Sequence, residues 1–299
     1  MKVTICQTAP KICDLTSNSQ DILAQIHKWR GMGSDLIIFP ELALTGYFVG
    51  TRYHEVALRI DSPMIQELVA ATKGTAAVIG FIEESPSMNF YNAALVAVDG
   101  ELLYCYRKLN LPNYGLFEEK KFFSGGKKIP VFRLKDFNIA VFICNDLWHP
   151  ALPYLGITQK ADIFVSIFNS SQGSMGSEFS NIETWRVINT FYSRVFGIYN
   201  LCANRVGNES MQNRRGENES GFEEESFRFW GGSEIINPFG RQVAQACLYE
   251  PDVIHAEIDK EMLRKKKILL PYLRNDDPYF THRELTRILF NPPGNDSIE

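Results

Sequence analysis

Short apolar runs recur along the whole chain, and several of them end on one polar or reactive side chain. Runs such as Leu36–Phe39 and Ile139–Ile143 have the length and composition of buried strands, and other segments have the spacing of helices with one apolar face. Hairpin turns such as Asp99-Gly100 link some neighbouring strands, so the order is not a simple strand–helix alternation. The pattern predicts an α/β sandwich with two sheets face to face and helices outside.

The chain divides into a predicted domain, residues 1–260, and a C-terminal arm, residues 261–299, that packs on the domain or on a partner subunit. The polar stretch Gly207–Phe227 is predicted to be an exposed loop. Helices are expected after a cap at Thr16 or Ser17, after Asp61-Ser62-Pro63, and over His149–Lys160 and Glu178–Phe196. Strands are expected at Lys2–Gln7, Leu36–Phe39, Ala76–Ile82, Asn92–Val98, Leu102–Arg107, 129–133, Ile139–Ile143, Ile163–Phe168, Ile198–Ala203, Glu234–Ile236, Gln242–Ala246 and Val253–Ile258.

Composition excludes several classes of function. The 299 residues are 45% hydrophobic, which is enough for a large core, and the net charge of −4 gives no strong attraction to nucleic acid or to a membrane surface. No run of 18 apolar residues is present, and the N-terminal MKVTICQTAP lacks the apolar segment of a signal peptide, so a cytoplasmic location is predicted. The six cysteines form no CxxC pair and no zinc-like cluster, so no metal or other cofactor is expected.

Three strand ends carry side chains that together suit amide hydrolysis. Glu41 follows DLIIFP, Lys108 ends ELLYCYRK, and Cys144 ends NIAVFIC. Such chemistry needs a nucleophile, a base that deprotonates it, and a positive group for the oxyanion. Taken singly, each residue has an ordinary structural interpretation, as a loop carboxylate, a solvent-facing lysine or a buried thiol.

The surrounding strings strengthen the chemical interpretation. FPELALTGY at 39–47, RKLNLPNYGLFEEKKFF at 107–123 and ICNDLWHP at 143–150 resemble the three blocks of the nitrilase superfamily, the Glu–Lys–Cys C–N hydrolases. Their order and separation match that superfamily, with 67 residues from Glu41 to Lys108 and 36 from Lys108 to Cys144. The resemblance covers residues 1 to about 260, since NRVG at 204–207 and GGSEIINPFG at 231–240 are also similar to family segments.

Within the superfamily, the strings LPNYGLFEEKKFF and CNDLW are most similar to the glutaminase domain of glutamine-dependent NAD synthetases. That domain usually has Glu directly after the nucleophilic Cys, whereas this chain has Asn145, so the subtype is less secure than the chemistry. The resemblance implies a four-layer α-β-β-α sandwich. It also implies pairing into a homodimer or higher homo-oligomer, with helix 178–196 as a candidate interface.

The resemblance also implies roles for individual residues. Cys144 is the expected nucleophile, Glu41 its base, and Lys108 together with the backbone N–H of Asn145 the expected oxyanion partners. Glu119, 11 residues after Lys108, matches a second glutamate that holds the lysine and the substrate, and Glu118 is the adjacent alternative. Residues expected to bind substrate are Tyr114, Asn145, Asn169 and Ser170, although Tyr114 is equally compatible with a rim aromatic and Asn169-Ser170 with a polar loop.

The expected reaction is hydrolysis of a small carboxamide, glutamine-like or another ω-amide, through a Cys thioester that releases ammonia and a carboxylate. Hydrolysis of an N-carbamoyl compound or of a nitrile would use the same three residues. A third hypothesis is of another class, in which the chain is a non-catalytic or ammonia-donating subunit of a separate synthetase. Intact Glu41, Lys108 and Cys144 argue against a purely structural subunit.

Overall fold

A computed structural model describes residues 1–115, 117–172, 180–214 and 222–290, with side chains omitted at 211–214 and 222–225. The strands are β1 Lys2–Gln7, β2 Leu36–Ile38, β3 Ala76–Glu84, β4 Phe90–Val98, β5 Glu101–Arg107, β6 Val131–Leu134, β7 Phe137–Ile143, β8 Ile163–Phe168, β9 Ser171–Gln172, β10 Tyr199–Asn204, β11 Val206–Arg214, β12 Phe222–Trp230, β13 Glu234–Ile236, β14 Gln242–Gln245 and β15 Asp252–Glu257. The helices are α1 Leu15–Gly31, α2 Tyr53–Val56, α3 Pro63–Ala71, α4 Glu119–Phe122, α5 Ala151–Thr158, α6 Asn181–Phe196, α7 Lys260–Leu269, α8 Tyr272–Asn275 and α9 Pro278–Phe290.

Two six-stranded sheets form the centre of the molecule. The first has the strand order β15-β1-β2-β3-β4-β5, and the second has the order β14-β13-β10-β8-β7-β6. In each sheet the middle strands are parallel and the outer strands pair antiparallel, as β3 does with β4 and β6 with β7. Both sheets are therefore mixed, which agrees with the hairpin links predicted from the sequence.

The inner faces of the two sheets pack together. Ile38 and Val78 of the first sheet lie in one buried apolar cluster with Val141 and Ile167 of the second. Their immediate neighbours along each strand point to the opposite face, because successive side chains of a strand alternate. Since both faces of each sheet are covered, the central strands are apolar along their whole length rather than at every second residue.

Helices cover the outer face of each sheet. On the first sheet, Ile79 packs with Ile26 of α1 and Leu68 of α3. On the second, Phe164 packs with Ile157 of α5 and Trp185 of α6 in a separate cluster. The predicted four-layer α-β-β-α sandwich is thereby confirmed.

The predicted helix α1 begins earlier than expected. Thr16 and Ser17 were the predicted caps, but the cap is Asp14, whose carboxylate accepts a hydrogen bond from the backbone N–H of Ser17. Helix α6 has Ser180 as its cap, and it ends at Gly197 in the left-handed conformation. The predicted residues 178 and 179 lie outside the described residues.

The predicted exposed loop Gly207–Phe227 is wrong where the structure describes it. Strands β11 and β12 pair antiparallel from Val206–Trp230 to Arg214–Phe222, and β12 also pairs with β9; residues 215–221 are not described. Backbone hydrogen bonds hold a hairpin together whatever its side chains are, so the polar composition concealed the strands.

The C-terminal arm is helical over α7 to α9, and residues 291–299 lie outside the described part. Lys260 and Lys267 of α7 both bind the carboxylate of Asp162, at 2.6 and 3.0 Å, and Leu263 is buried in the core between the sheets. Helix α9, by contrast, buries none of its residues. In the described chain, no helix combines the length and the apolar character needed to cross a membrane.

Gly80 of β3 lies against the turn that follows β2. A Cβ atom there would lie 2.3 Å from Leu42 N, 2.4 Å from Pro40 O and 2.7 Å from Glu41 C. Leu42 itself has φ 49°, in the left-handed region that a branched side chain rarely adopts, so this turn has few alternative conformations. Glycine at position 80 is therefore required for Glu41 to keep its place.

We expect Gly80→Ala to lower the free energy of unfolding by about 1–3 kcal/mol, because the facing atoms are backbone and cannot swing away. Urea unfolding measures the change. Gly31→Ala is the matched control, since a Cβ atom there meets nothing within 4 Å and α1 should lose no stability. Equal losses in the two variants would contradict the packing argument.

Candidate active site

Glu41 lies in the turn after β2 and is completely buried. Its Oε1 accepts hydrogen bonds from Asn92 Nδ2 at 2.7 Å and from Lys108 Nζ at 2.8 Å. Its Oε2 has no hydrogen-bond partner in the described part of the chain. Glu41 therefore combines one oxygen that is tied in place with one that is available to accept a proton.

Lys108 follows β5, and its side chain is completely buried between two carboxylates. Its Nζ donates to Glu41 Oε1 at 2.8 Å and to Glu119 Oε1 at 2.7 Å. Burial alone would lower the pKa of this ammonium, but the charges of Glu119 and Glu41 outweigh it and raise the pKa well above its usual value. Lys108 is therefore a fixed cation at the centre of the site.

Glu119 opens the short helix α4 and is 4% exposed. Its Oε1 accepts a second hydrogen bond, from the hydroxyl of Tyr47 at 2.6 Å. Burial raises the pKa of Glu119 to about 7, against the lowering effect of Lys108 and the Tyr47 hydrogen bond, and the charge of Glu41 adds to the rise. One ammonium cannot fully balance two buried carboxylates, so Glu119 titrates near neutral pH.

Cys144 comes directly after β7 and starts the 3-10 turn Cys144–Trp148. Its φ of 46° is in the left-handed region, an unusual conformation for a residue other than glycine. Burial and the charge of Glu41 raise the pKa of the thiol well above its usual value, whereas Lys108 and a hydrogen bond from the backbone N–H of Asn169 lower it. The resting thiol is therefore protonated, and the same neighbours that stabilise its thiolate are already in place.

Asp146 joins the Lys108 segment to the Cys144 segment. Its carboxylate accepts hydrogen bonds from four donors: the hydroxyl of Tyr106 at 2.8 Å and the backbone N–H groups of Leu109 at 3.1 Å, Asn110 at 2.8 Å and Ile143 at 3.1 Å. Burial raises its pKa to about 6, while the backbone and tyrosine hydrogen bonds lower it. These bonds set the distance between the end of β5 and the end of β7.

Cys144 opens into a narrow cavity. Phe168, just behind this cavity, stacks on Trp185 with ring centroids 4.3 Å apart, and Trp148 meets Trp185 edge-on at 5.8 Å. The cavity is lined by Pro112, Tyr114, Phe117, Cys144, Asn145, Trp148, Asn169, Ser170, Asn181 and Trp185.

Polar groups without partners face the same region. Both side-chain polar atoms of Asn169 and the hydroxyl of Ser170 are buried and lack hydrogen-bond partners among the described residues. Leaving such groups unpaired costs free energy, so they are suited to meet a polar ligand. At the rim, the half-exposed Tyr114 donates its hydroxyl to Asn145 Oδ1 at 2.9 Å.

The structure brings most of the predicted site residues together. Glu41, Lys108 and Glu119 are in direct contact, and Tyr114, Asn145, Asn169 and Ser170 line one cavity with Cys144. Glu118, the alternative to Glu119, is instead exposed and binds Lys121. The catalytic and binding roles stay predictions.

The sequence did not predict two residues that bind the predicted set, Asn92 and Tyr47, or Asp146, which binds the segments that carry Lys108 and Cys144. Asn92 is a lone buried amide in the apolar strand β4, and that contrast is a signal that could have found it. Tyr47 and Asp146 lie inside the recognised blocks, but nothing in one sequence indicates which atoms they bind. The structure describes no group of three or more His, Cys, Asp or Glu side chains arranged to hold a metal ion.

Comparison with known proteins decides the family. The sequence model of the carbon-nitrogen hydrolase family matches residues 2–268. The chain belongs to the carbon-nitrogen hydrolase family. The matched range contains the whole cluster around Cys144 and both six-stranded sheets of this carbon-nitrogen hydrolase.

Individual relatives of this carbon-nitrogen hydrolase differ in length. Glutamine-dependent NAD(+) synthetase of Acinetobacter baylyi is 29% identical over 268 residues, which cover 89% of this chain but only 46% of the relative. N-carbamoylputrescine amidase of Arabidopsis thaliana is 24% identical over 291 residues, 94% of this chain and 93% of the relative. A mutant amidase from Nesterenkonia sp. AN1 has the same fold, with a TM-score of 0.74 at 18% identity over 95% of this chain and 99% of that one.

We expect Asp146→Ala to lower the free energy of unfolding by about 3 kcal/mol, because one buried and two partly buried backbone N–H groups and the buried Tyr106 hydroxyl lose their acceptor. Chemical denaturation measures the change. Asp136→Ala is the control, since its side chain is 81% exposed and should cost less than about 0.5 kcal/mol. A loss at Asp146 no larger than the control's would show that these bonds do not hold the two segments together.

Proposed function

We propose that this carbon-nitrogen hydrolase cleaves a small carboxamide with Cys144 as nucleophile, releasing ammonia and a carboxylate. The observation that supports this most directly is the buried cluster in which Lys108 bridges Glu41 and Glu119 beside the Cys144 thiol. A base, a fixed cation and a nucleophile are the parts that acyl transfer needs.

Activation of the nucleophile falls to Glu41. The thiol of Cys144 is protonated at rest, and only the thiolate attacks a carbonyl carbon at a useful rate. Glu41 Oε2, which has no partner in the described chain, accepts the thiol proton as the thiolate forms. Lys108 then stabilises the new negative charge on the sulfur.

Attack of the thiolate places negative charge on the carbonyl oxygen. Lys108 Nζ and the backbone N–H of Asn145 stabilise that oxyanion, and Lys108 costs little to orient because two carboxylates already hold it. Glu41 returns its proton to the leaving nitrogen, ammonia departs, and a thioester remains on Cys144. Glu41 next takes a proton from water, which attacks the thioester and releases the carboxylate and the thiol.

The cavity supports a short substrate. It is narrow, and Asn145, Asn169 and Ser170 line it beside Cys144. The unpartnered amide of Asn169 and hydroxyl of Ser170 offer both donors and an acceptor to a polar substrate, and Trp148 and Trp185 offer apolar walls. A glutamine-like or other ω-amide fits these requirements, as the name of the NAD synthetase relative also suggests.

Two alternatives have specific support. An N-carbamoyl substrate is favoured by the carbamoylputrescine amidase relative, which matches over nearly its whole length. An ammonia-donating subunit is favoured by the name of the NAD synthetase relative, which is a glutamine-dependent synthetase. Both would use Cys144 and Glu41 as above, so substrate and partner have to be found by experiment.

Ammonia release from a panel of amides, N-carbamoyl amines and nitriles tests the proposal. We expect at least one amide to be hydrolysed, and Cys144→Ala and Glu41→Gln to lower kcat/KM by about 10³-fold or more, because each removes a part of the same proton transfer. Mass spectrometry of the quenched enzyme should find the acyl group on Cys144.

Cys247→Ala and Glu55→Gln are the matched controls, since both side chains are exposed and outside the site. Normal turnover in Cys144→Ala would refute the assigned nucleophile. Ammonia from none of the compounds would refute independent hydrolysis and favour the subunit alternative.

We also propose that the chain pairs with a second copy through α6. Val187 and Phe191 lie on its outer face, 68% and 51% exposed, and Leu155 of the neighbouring α5 is 48% exposed. Neighbouring exposed apolar side chains on covering helices are typical of a surface that is buried in an assembly.

Light scattering coupled to size exclusion should find a dimer, and the double variant Val187→Glu, Phe191→Glu should shift it to monomer, because two buried charges would oppose pairing. Met88→Glu is the control, at a 75% exposed apolar residue in a turn on the other sheet. A dimer that survives the double variant would place the interface elsewhere.

A further inference from the structure

Glu209 is a buried carboxylate that the reaction scheme does not use. It lies on β11, in the stretch predicted from its polarity to be an exposed loop, and is only 4% exposed. Its Oε2 accepts hydrogen bonds from the backbone N–H of Tyr47 at 3.0 Å and of Phe48 at 2.8 Å. Through Glu209, the β11–β12 hairpin therefore binds the backbone of Tyr47 and Phe48, which follow the Glu41 turn.

The buried Glu209 carboxylate has a buried cationic partner. Arg205, also buried, forms an ion pair with Glu209, donates to Pro10 O at 2.9 Å, and lies over the ring of Phe229 at 4.3 Å. A buried carboxylate needs such compensation, because an isolated one is very costly to desolvate. Arg205 thus compensates the burial of the carboxylate that accepts hydrogen bonds from the two N–H groups.

The backbone from Gly46 to Phe48 has few alternative conformations. Gly46 has φ 77°, and a Cβ atom there would lie 2.7 Å from Glu209 Oε1 and 2.9 Å from Ile12 Cα. Phe48 stacks on Phe227 of β12 with ring centroids 4.3 Å apart. The hairpin thus fixes the backbone on both sides of Tyr47.

The side chain of Tyr47 connects this held backbone to the cluster of Glu119, Lys108 and Glu41. Its hydroxyl donates to Glu119 Oε1 at 2.6 Å, on the same oxygen that receives Lys108 Nζ at 2.7 Å. Lys108, Glu41, Cys144 and Tyr114 are the other charged or titratable groups that act on this cluster. Of these groups and Tyr47, only Lys108 and Tyr47 donate hydrogen bonds to the Glu119 carboxylate in the described chain.

We propose that Glu209 is a positioning residue of the active site, which holds the backbone of Tyr47 so that the Tyr47 hydroxyl stays on Glu119 Oε1 beside Lys108. The β11–β12 hairpin is then part of the active-site support. The consequence for catalysis rests on the function proposed above, whereas the contact and its effect on Glu119 do not.

The direction of the effect follows from the hydrogen bond. The Tyr47 hydroxyl stabilises the ionised carboxylate and so lowers the pKa of Glu119, against burial and the charge of Glu41, which raise it. Loss of the hydroxyl should therefore raise the pKa of Glu119 from about 7 and leave it neutral up to a higher pH. An ionised Glu119 in turn raises the pKa of the Cys144 thiol.

Alkylation by iodoacetamide, followed by the mass of the peptide that carries Cys144 as a function of pH, measures the reactivity of this thiol without any substrate; peptide mapping is needed because Cys247 is exposed and also reacts. We expect the wild-type rate to rise less steeply above the pH at which Glu119 ionises, because the added negative charge opposes the thiolate. Glu119→Gln should abolish that inflection and thereby assign it. Tyr47→Phe should move it upward by about one pH unit, and Glu209→Gln should move it upward by less.

Tyr53→Phe and Glu55→Gln are the controls, since they remove a hydroxyl and a charge from the neighbouring segment without touching Glu119. Glu209→Gln leaves Arg205 without its carboxylate and could lose stability, but Tyr47→Phe keeps the ring volume and carries the test by itself. A Tyr47→Phe profile that superimposes on the wild type would overturn the proposal, as would an equal shift in Tyr53→Phe.

The outcome separates this inference from the proposed function. If no amide is hydrolysed but the inflection shifts as expected, Glu209 positions Tyr47 in a site whose reaction is another one. If amides are hydrolysed with unaltered pH profiles in both variants, the function stands and the positioning role fails.

Discussion

One ammonium shared by two buried carboxylates is the constraint around which this site is organised. Lys108 reaches Glu41 and Glu119 at 2.8 and 2.7 Å, and all three side chains are shielded from water. Three ionisable groups pay a large desolvation cost, which only close and complete pairing offsets. The surrounding backbone has to hold the end of β2, the end of β5 and the start of α4 in one arrangement, and this explains the close approach at Gly80.

Cys144, the proposed nucleophile, belongs to the second sheet, whereas the proposed base Glu41 belongs to the first. Glu41 and Lys108 follow strands of the first sheet, whereas Cys144 follows a strand of the second. Asp146 spans this division, because it accepts hydrogen bonds from Tyr106 and Leu109 on one side and from Ile143 on the other. The relative position of thiol and base therefore depends on a buried carboxylate that takes no direct part in the proposed chemistry.

Patterns within a few residues were a good guide to the fold. Apolar runs located nearly all of the central strands, because a strand covered on both faces has to be apolar throughout. The hairpin β11–β12 escaped notice because its side chains are polar, so only backbone pairing reveals it. Glu209 was overlooked for the same reason, since a polar stretch gives no sign that one of its carboxylates is buried against Tyr47 and Arg205.

By itself, the sequence determined the layered architecture, the family and the small set of side chains able to do the chemistry. Those properties depend on residue type, on the spacing of apolar residues within a segment and on the order of three motifs, and all of these can be read from the sequence. Only the tertiary structure decided which oxygen of Glu41 has no hydrogen-bond partner among the described residues, that Glu119 rather than Glu118 binds Lys108, and that Cys144 rests as a thiol. Protonation and hydrogen bonding depend on burial and on distances of a few ångströms between segments remote in sequence, which arise when the two sheets pack.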